Sequence, residues 1–287
     1  MTASLKTTIL NALRMPLRHP SLEAVLVGLT KGKAATSVIA RMLPRHHQYG
    51  LGTVRPAVRY GIEWPALELS ELIGWYLFFG LHDPSHEDFL GLVEPGNVVI
   101  DVGANIGLTA LRAAGRCGPA GRVIALEPDP LTFAKLTAAL ERNPLLRVEA
   151  HQVAVGETTG TLLLEVRDPH NLGMNRISKQ GTVPVEVTTI DRLVEQLELS
   201  RVDVIKVDTE GFEPNVLRGA AATIARHRPR LFLELDDGNL RDQGGSSASL
   251  LAQLDALGYD CTRCDGKSVT PADALVGAHT DLVCRPR

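Results

Sequence analysis

The stretch NVVIDVGANIGLTALRAAGRCG, residues 97–118, decides the fold. NVVIDVG is an unbroken apolar run that ends in Asp and Gly, as a strand buried on both faces should. GLTALRAAGRCG then has helical periodicity and closes on glycine. Between them lies a glycine-bearing turn, the position at which α/β proteins hold nucleotide-type ligands.

The same alternation continues on either side of a break. RVIALEP (122–128) predicts a second strand, and DPLTFAKLTAALERN (129–143) a helix opened by Asp129 with Pro130 in its first turn. RVEAHQVAV (147–155) predicts a third strand. Then TGTLLLEVRD, a loop rich in Asn and Gly, and VPVEVTTI interrupt the scheme, an insertion at about residues 157–187. Alternation resumes with DRLVEQLEL, VDVIKVD, PNVLRGAAATIARH, RLFLELD and SSASLLAQLDALG, and YDCTRC and TDLVCRP read as a closing pair of strands. Strands alternating with helices imply right-handed crossovers and a mainly parallel sheet covered on both faces. Asp101, Glu127, Asp208 and Glu234 would gather at or just after its strand ends, the ligand-binding edge of such a sheet.

Residues 1–60 read as a mostly helical basic arm, with nine Lys and Arg side chains against the single acid Glu23. Such an arm suits an acidic partner, an anionic substrate, a membrane surface or its own acidic core, and it offers a surface for a homo-oligomer. Residues 61–96 read as a helical or irregular lead-in whose WYLFFG (75–80) is either core or a hydrophobic lid. A hydrophobic fraction of 44% and a charged fraction of 22% describe a globular chain. With 4% aromatic residues nothing suggests a base-stacking surface, so no nucleic-acid partner is expected. No run approaches the ~18 apolar residues that would cross a bilayer. No disulfide framework is visible among four cysteines, and a cytoplasmic location is expected.

DVGANIG departs from the dinucleotide fingerprint. Where GxGxxG needs a glycine for the backbone to approach a pyrophosphate, this chain has Asn105. An acid beside the loop, Asp101, repels phosphate and attracts an ammonium, and Glu127 offers two carboxylate oxygens to a ribose diol. S-adenosylmethionine has the ammonium and the diol and no phosphate, so a methyltransferase is favoured over a nicotinamide-dependent oxidoreductase. A cofactor-binding interaction protein without chemistry is the reading from a different class.

VVIDVGANIGLTAL, followed by ALEPDP, AVGETTG, VEVTTIDRL and IKVDTEGFEPNVLRGA, resembles the FkbM family of S-adenosylmethionine-dependent methyltransferases. The resemblance implies a class I, Rossmann-like fold on a seven-stranded sheet over residues 97–287, and O-methylation of a hydroxyl on a sugar, glycan or secondary metabolite. It implies that Asp101, Gly103, Ala104, Asn105 and Gly107 surround the methionine part of the cofactor. Glu127 and Pro128 would hold the ribose, and Val153 and Ala154 would border the adenine. Glu157, which follows the third strand, stands a few residues late for an adenine contact.

IKVDTEGFEPNVLRGA (205–220) holds the remaining acids. The resemblance puts Asp208 beside the transferring methyl, where Asp208 or Glu210 could take a hydroxyl proton, a service worth ~10² to 10⁴ in rate. Glu210 could equally cap a turn, and Glu213, just before Pro214, reads as the start of a helix. Lys206, inside an apolar strand, requires a carboxylate partner, and is a lesser candidate for the base. Asp208, Glu210 and Glu234 could also hold a magnesium ion, but no metal is expected, since the Asp-Asn pair of catechol-type enzymes is missing. Asn171, Asn175, Arg176 and Ser178 in the insertion, together with Glu234, are the candidate contacts to the acceptor.

Overall fold

The computed structural model describes residues 5–168, 170–273 and 275–287. The chain forms two compact units, one running to Asp83 and including Asp168–Gly173, the other made of Pro84–Arg167 and Met174–Arg287.

The first unit contains helices α1 (Leu5–Arg14), α2 (Pro20–Thr30) and α3 (Val38–Met42), strands β1 (Val54–Arg59) and β2 (Ile62–Glu68), and helix α4 (Leu72–Phe78). The two strands form an antiparallel hairpin, in a region read from sequence as helical or irregular. Its two-residue loop, Tyr60-Gly61, has φ +55° and +75°, the left-handed pair that a tight hairpin turn requires. Two prolines obscured this signal, because proline argues against a strand. Here Pro56 sits where the register slips between Arg55 and Ala57, so its missing N–H costs the ladder little. Trp75, Leu77 and Phe79 are buried, so WYLFFG is core of this unit.

The second unit begins earlier than the predicted boundary at residue 97. Helix α5 (Pro84–Gly91) belongs to it, and its Phe89 packs at a tilt against Phe232 with ring centroids 5.6 Å apart. There follow β3 (Val98–Val102), α6 (Leu108–Cys117), β4 (Arg122–Leu126), α7 (Pro130–Arg142) and β5 (Val148–His151). Asp129 caps α7, its Oδ1 accepting from the Leu131 and Thr132 amides at 2.8 Å. The insertion is a four-stranded sheet of β6 (Ala154–Val155), β7 (Gly160–Glu165), β8 (Arg176–Ile177) and β9 (Val183–Thr188), in the order β6-β9-β7-β8. The chain continues through α8 (Ile190–Gln196), β10 (Val204–Val207), α9 (Glu213–Arg218), α10 (Ala221–His227), β11 (Arg230–Asp236), α11 (Asp237–Asp242) and α12 (Ser247–Ala256). It ends with β12 (Tyr259–Arg263), β13 (Ser268–Val269) and β14 (His279–Pro286).

The main sheet has the order β13-β12-β14-β11-β10-β3-β4-β5. Five adjacent strands from β11 to β5 run parallel, and β14 and β12 close the edge antiparallel as the predicted final pair. Among the described residues this sheet has eight strands where seven were expected, and the two-residue β13 is too short to leave a period-2 signal. Successive residues of each strand serve opposite faces. Ile100, Ile124, Ile205 and Leu231 join one core, while Val99, Val123, Val204 and Phe232 join the other.

Parity places Asp101 and Lys206 on the same face, and register makes them direct cross-strand partners. Just beyond, β3 and β10 approach so closely that a Cβ on Gly103 would lie 1.9 Å from the Asp208 carbonyl oxygen, and Gly103 has φ +80°. Gly103→Ala is therefore expected to cost more than about 2 kcal/mol. Gly115→Ala, inside α6 with its nearest neighbour at 3.9 Å, should be neutral or stabilise by about 0.4–1 kcal/mol. Urea unfolding of both variants measures the contrast, and equal midpoints would refute the close approach.

Candidate functional site

The loop after β3 is built from the end of β4. The amides of Gly103 and Ala104 both donate to the Leu126 carbonyl at 3.0 Å. The next residue along β4, Glu127, accepts from the Asn105 amide through Oε2 and from the Asp129 amide through Oε1, each at 2.9 Å. Asn105 is left-handed, φ +50°, a conformation that its short amide side chain tolerates. Gly107, also left-handed, opens α6. Burial raises the Glu127 pKa to about 7 against the pull of these two N–H groups. Pro128 completes the turn, half-buried between Glu127 and Asp129.

Lys206 is buried between two carboxylates. Its Nζ lies 3.1 Å from Asp208 Oδ2 and 3.4 Å from Asp101 Oδ1. Asp101 has no exposed surface, and the Thr109 hydroxyl donates to its other oxygen at 2.5 Å. Its Oδ1 is buried with no hydrogen-bond partner among the described residues beyond the ion pair with Lys206. The two acids outweigh burial at Lys206, whose pKa is raised, so the lysine stays an ammonium and is unsuited to be the base.

The loop after β10 separates the other acids. Glu213, buried at the first position of α9, accepts through Oε1 from the Thr209 amide (3.0 Å), the Thr209 hydroxyl (2.9 Å) and the Gly211 amide (3.1 Å). It therefore stitches the loop shut, a larger role than favouring the helix dipole. Glu210, held above that stitch, has φ +56°, costly for a residue with a Cβ and characteristic of functional sites. Its Oε2 accepts from Asn239 at the start of α11. Burial raises its pKa to about 7, and Asp208, Glu213 and Asp236 push the same way.

Glu234 lies within β11 rather than at its end. Since Val207 pairs with Leu233, Asp208 and Glu234 leave that register side by side. Burial, then Asp208 and Glu210, hold its pKa well above the carboxylate range, and its Oε2 is buried without a hydrogen-bond partner among the described residues. The hard-ligand set considered for magnesium does not assemble. Among the described residues no three His, Cys, Asp or Glu side chains converge as metal ligands.

The polar residues of the insertion have partners within the chain. Asn175 donates to Asp129 Oδ2 at 3.1 Å, tying the insertion to the loop that carries Glu127. Arg176, read as an acceptor contact, forms ion pairs with Glu165 at 3.2 Å and Asp242 at 2.8 Å. Ser178 bonds to Gln180, and Asn171 belongs to the segment grouped with the first unit. Val153 and Ala154 are buried, Ala154 pairing with Val187 in the small sheet, while Val153 lines a groove of 720 Å³ with Phe133, His151 and Arg192. Glu157 is on the surface, paired with Arg218 at 2.6 Å. Two residues went unnoticed in the sequence, Asn239 and Thr109. Asn239 follows the strand RLFLELD, and the rule that ligand-side residues follow strand ends would have found it.

Parallel strands in the order β5-β4-β3-β10-β11, closed by antiparallel β14 and β12 and carrying a glycine loop after β3 with an acid after β4, define a class I methyltransferase fold. The family model for the FkbM methyltransferase domain matches residues 101–261, and the chain belongs to that family. It is similar to the hexuronic acid methyltransferase AglP of Haloferax volcanii, 32% identical over 126 residues, which cover 44% of this chain and 51% of that protein. It is also similar to the 2-O-methyltransferase NoeI of Sinorhizobium fredii, 25% identical over 60% of this chain and 76% of the relative. The chain thus spans only about half the length of the first of these relatives. Among solved structures it resembles an FkbM methyltransferase from Methylobacillus flagellatus, 20% identical with a TM-score of 0.45, over 74% of this chain and 52% of that one.

Removing the ammonium exposes its role. Lys206→Met leaves Asp101 buried and unpaired, and should destabilise the protein by about 3–5 kcal/mol at pH 7. Burial already raises the Asp101 pKa, and loss of Lys206 raises it further, so the deficit should shrink as pH falls and Asp101 takes up a proton. Adding Asp101→Asn should restore much of the loss. Urea titrations at two pH values test this, and a deficit that grows on acidification would contradict it.

Proposed function

We propose that the chain is an S-adenosylmethionine-dependent O-methyltransferase acting on a hydroxyl of a sugar, glycan or related secondary metabolite. The observation that carries this is the meeting of three elements at the carboxyl ends of adjacent parallel strands: the glycine loop after β3, Glu127 after β4, and the Asp208–Glu210 loop after β10. Gly103 lets the loop after β3 lie directly against the loop after β10, where a Cβ would strike the Asp208 carbonyl, so the two loops share one edge. The names of the relatives, a hexuronic acid methyltransferase and a 2-O-methyltransferase, support a sugar and an oxygen acceptor.

S-adenosylmethionine, when bound, supplies a methyl group activated on a sulfonium. The chain's own groups do the rest. Each Glu127 oxygen accepts one backbone N–H and retains a second lone pair for a ribose hydroxyl. Asp208, fixed by the Lys206 ammonium, sets a negative charge at the strand end, complementary to a cationic ligand. Glu210 takes the acceptor's hydroxyl proton on its carboxylate, oriented by the Asn239 amide. A pKa of about 7 suits a base that works near neutrality, and the separation of roles follows from Lys206 already occupying Asp208.

Calorimetry with S-adenosylhomocysteine should show binding and with NAD none, and the reverse would overturn the reading. Glu210 must be ionised to accept a proton, so kcat/KM should fall about tenfold per pH unit below about pH 7. Glu210→Gln should lose that limb and slow turnover by ~10² or more, with S-adenosylhomocysteine affinity kept within about tenfold. A variant that retains the acidic limb would move the base to another group.

A further inference from the structure

Helix α2 is turned inside out. Its buried face carries Glu23 and Thr30, whereas Leu22, Val25 and Leu29 stand 42%, 59% and 52% exposed. Those three are spaced i, i+3 and i+7, one side of a 3.6-residue helix. The inverted setting is held by specific polar bonds. The Thr30 hydroxyl donates to the Phe79 carbonyl at 2.7 Å, and Glu23 accepts from Arg55 Nε at 3.0 Å. Rotating α2 to bury its leucines would strand both buried groups, so the apolar stripe is committed to the outside.

The neighbouring elements repeat the pattern. Met15, in the helical turn Met15–Arg18 against which α2 packs, is exposed, and on α3 Val38 is 75% exposed with Met42 one turn further along. Single exposed apolar side chains are ordinary, but sets on successive packed elements mark an interaction surface. The segment that carries them is basic in sequence. Residues 1–60 contain nine basic side chains, and their single acid, Glu23, is buried and already paired. Lys31 and Lys33 directly follow the stripe and are exposed, as is Arg41 on α3.

We propose that this face docks the protein onto an anionic lipid bilayer surface, with the α2 stripe entering the headgroup boundary and the lysines meeting the lipid phosphates. Exposed leucine and valine combined with unopposed basic charge is the chemistry of an interfacial helix, and one such face suits an anionic surface. The contact proposed is peripheral, and no described helix is long and apolar enough to cross a membrane. A second copy docking through the same face would bring basic surface against basic surface, which disfavours self-association as the use of this stripe.

The full chain is tested by co-sedimentation with phosphatidylcholine vesicles, with or without about one-third phosphatidylglycerol. Binding to the anionic vesicles is expected to be at least about tenfold stronger and to weaken several-fold at about 0.5 M salt. Leu22→Ser/Val25→Ser/Leu29→Ser should abolish it at an unchanged melting temperature, because these side chains contribute little to the core. Lys31→Glu/Lys33→Glu, which leaves the stripe intact, should weaken it by about tenfold or more and decides the matter should the triple variant fail to fold. Absence of binding, equal binding to both vesicle types, or insensitivity to the lysine reversal overturns the proposal. So does a dimer in sedimentation velocity that the triple variant dissolves, since the stripe would then be a self-association face.

Discussion

A single ammonium, Lys206 Nζ, joins the two central strands of the sheet and governs what lies above them. Burying an ion costs several kcal/mol unless other charges and hydrogen bonds replace water. Here Asp101 answers from the cross-strand register position and Asp208 from the strand end. The backbone ladder between the same two strands, extended by the Asp208 amide donating to the Val102 carbonyl at 3.1 Å, brings the glycine loop against the Asp208 carbonyl and makes Gly103 obligatory. The Asp208–Glu213 loop then starts from a fixed point, so that Glu213 can close it and Glu210 can stand in a strained conformation near Asn239.

The carboxylates of this edge look alike in sequence and differ by environment. Glu213 spends one oxygen on three donors, Asp101 is held by Lys206 and Thr109, and Glu127 holds the glycine loop with one oxygen and the Asp129 amide with the other. At Glu210 and Glu234 burial and like-charged neighbours act together to raise the pKa.

Much of this was legible. Strands buried on both faces write continuous apolar runs, so VVIDV, RVIAL and VIKV declared the sheet, and Asp129-Pro130 declared α7. The need of Lys206 for a partner was also readable, since an isolated buried ammonium is untenable. Arg176 was not readable, because Glu165 and Asp242 lie 11 and 66 residues away and only the fold brings them together. The β1–β2 hairpin was hidden by prolines that the structure places at a bulge. The outward stripe of α2 was hidden for a different reason. Periodicity reveals that a helix has an apolar side, but which side faces inward depends here on Arg55 and Phe79, far along the chain.

The most direct measurement of the central claim is a crystal structure of the protein with S-adenosylhomocysteine. The account predicts that the ribose hydroxyls meet Glu127, that the backbone of Gly103 lines the ligand, and that the sulfur faces the Asp208–Glu210 loop. Ligand bound with Glu127 and Asp208 both left uncontacted would contradict it.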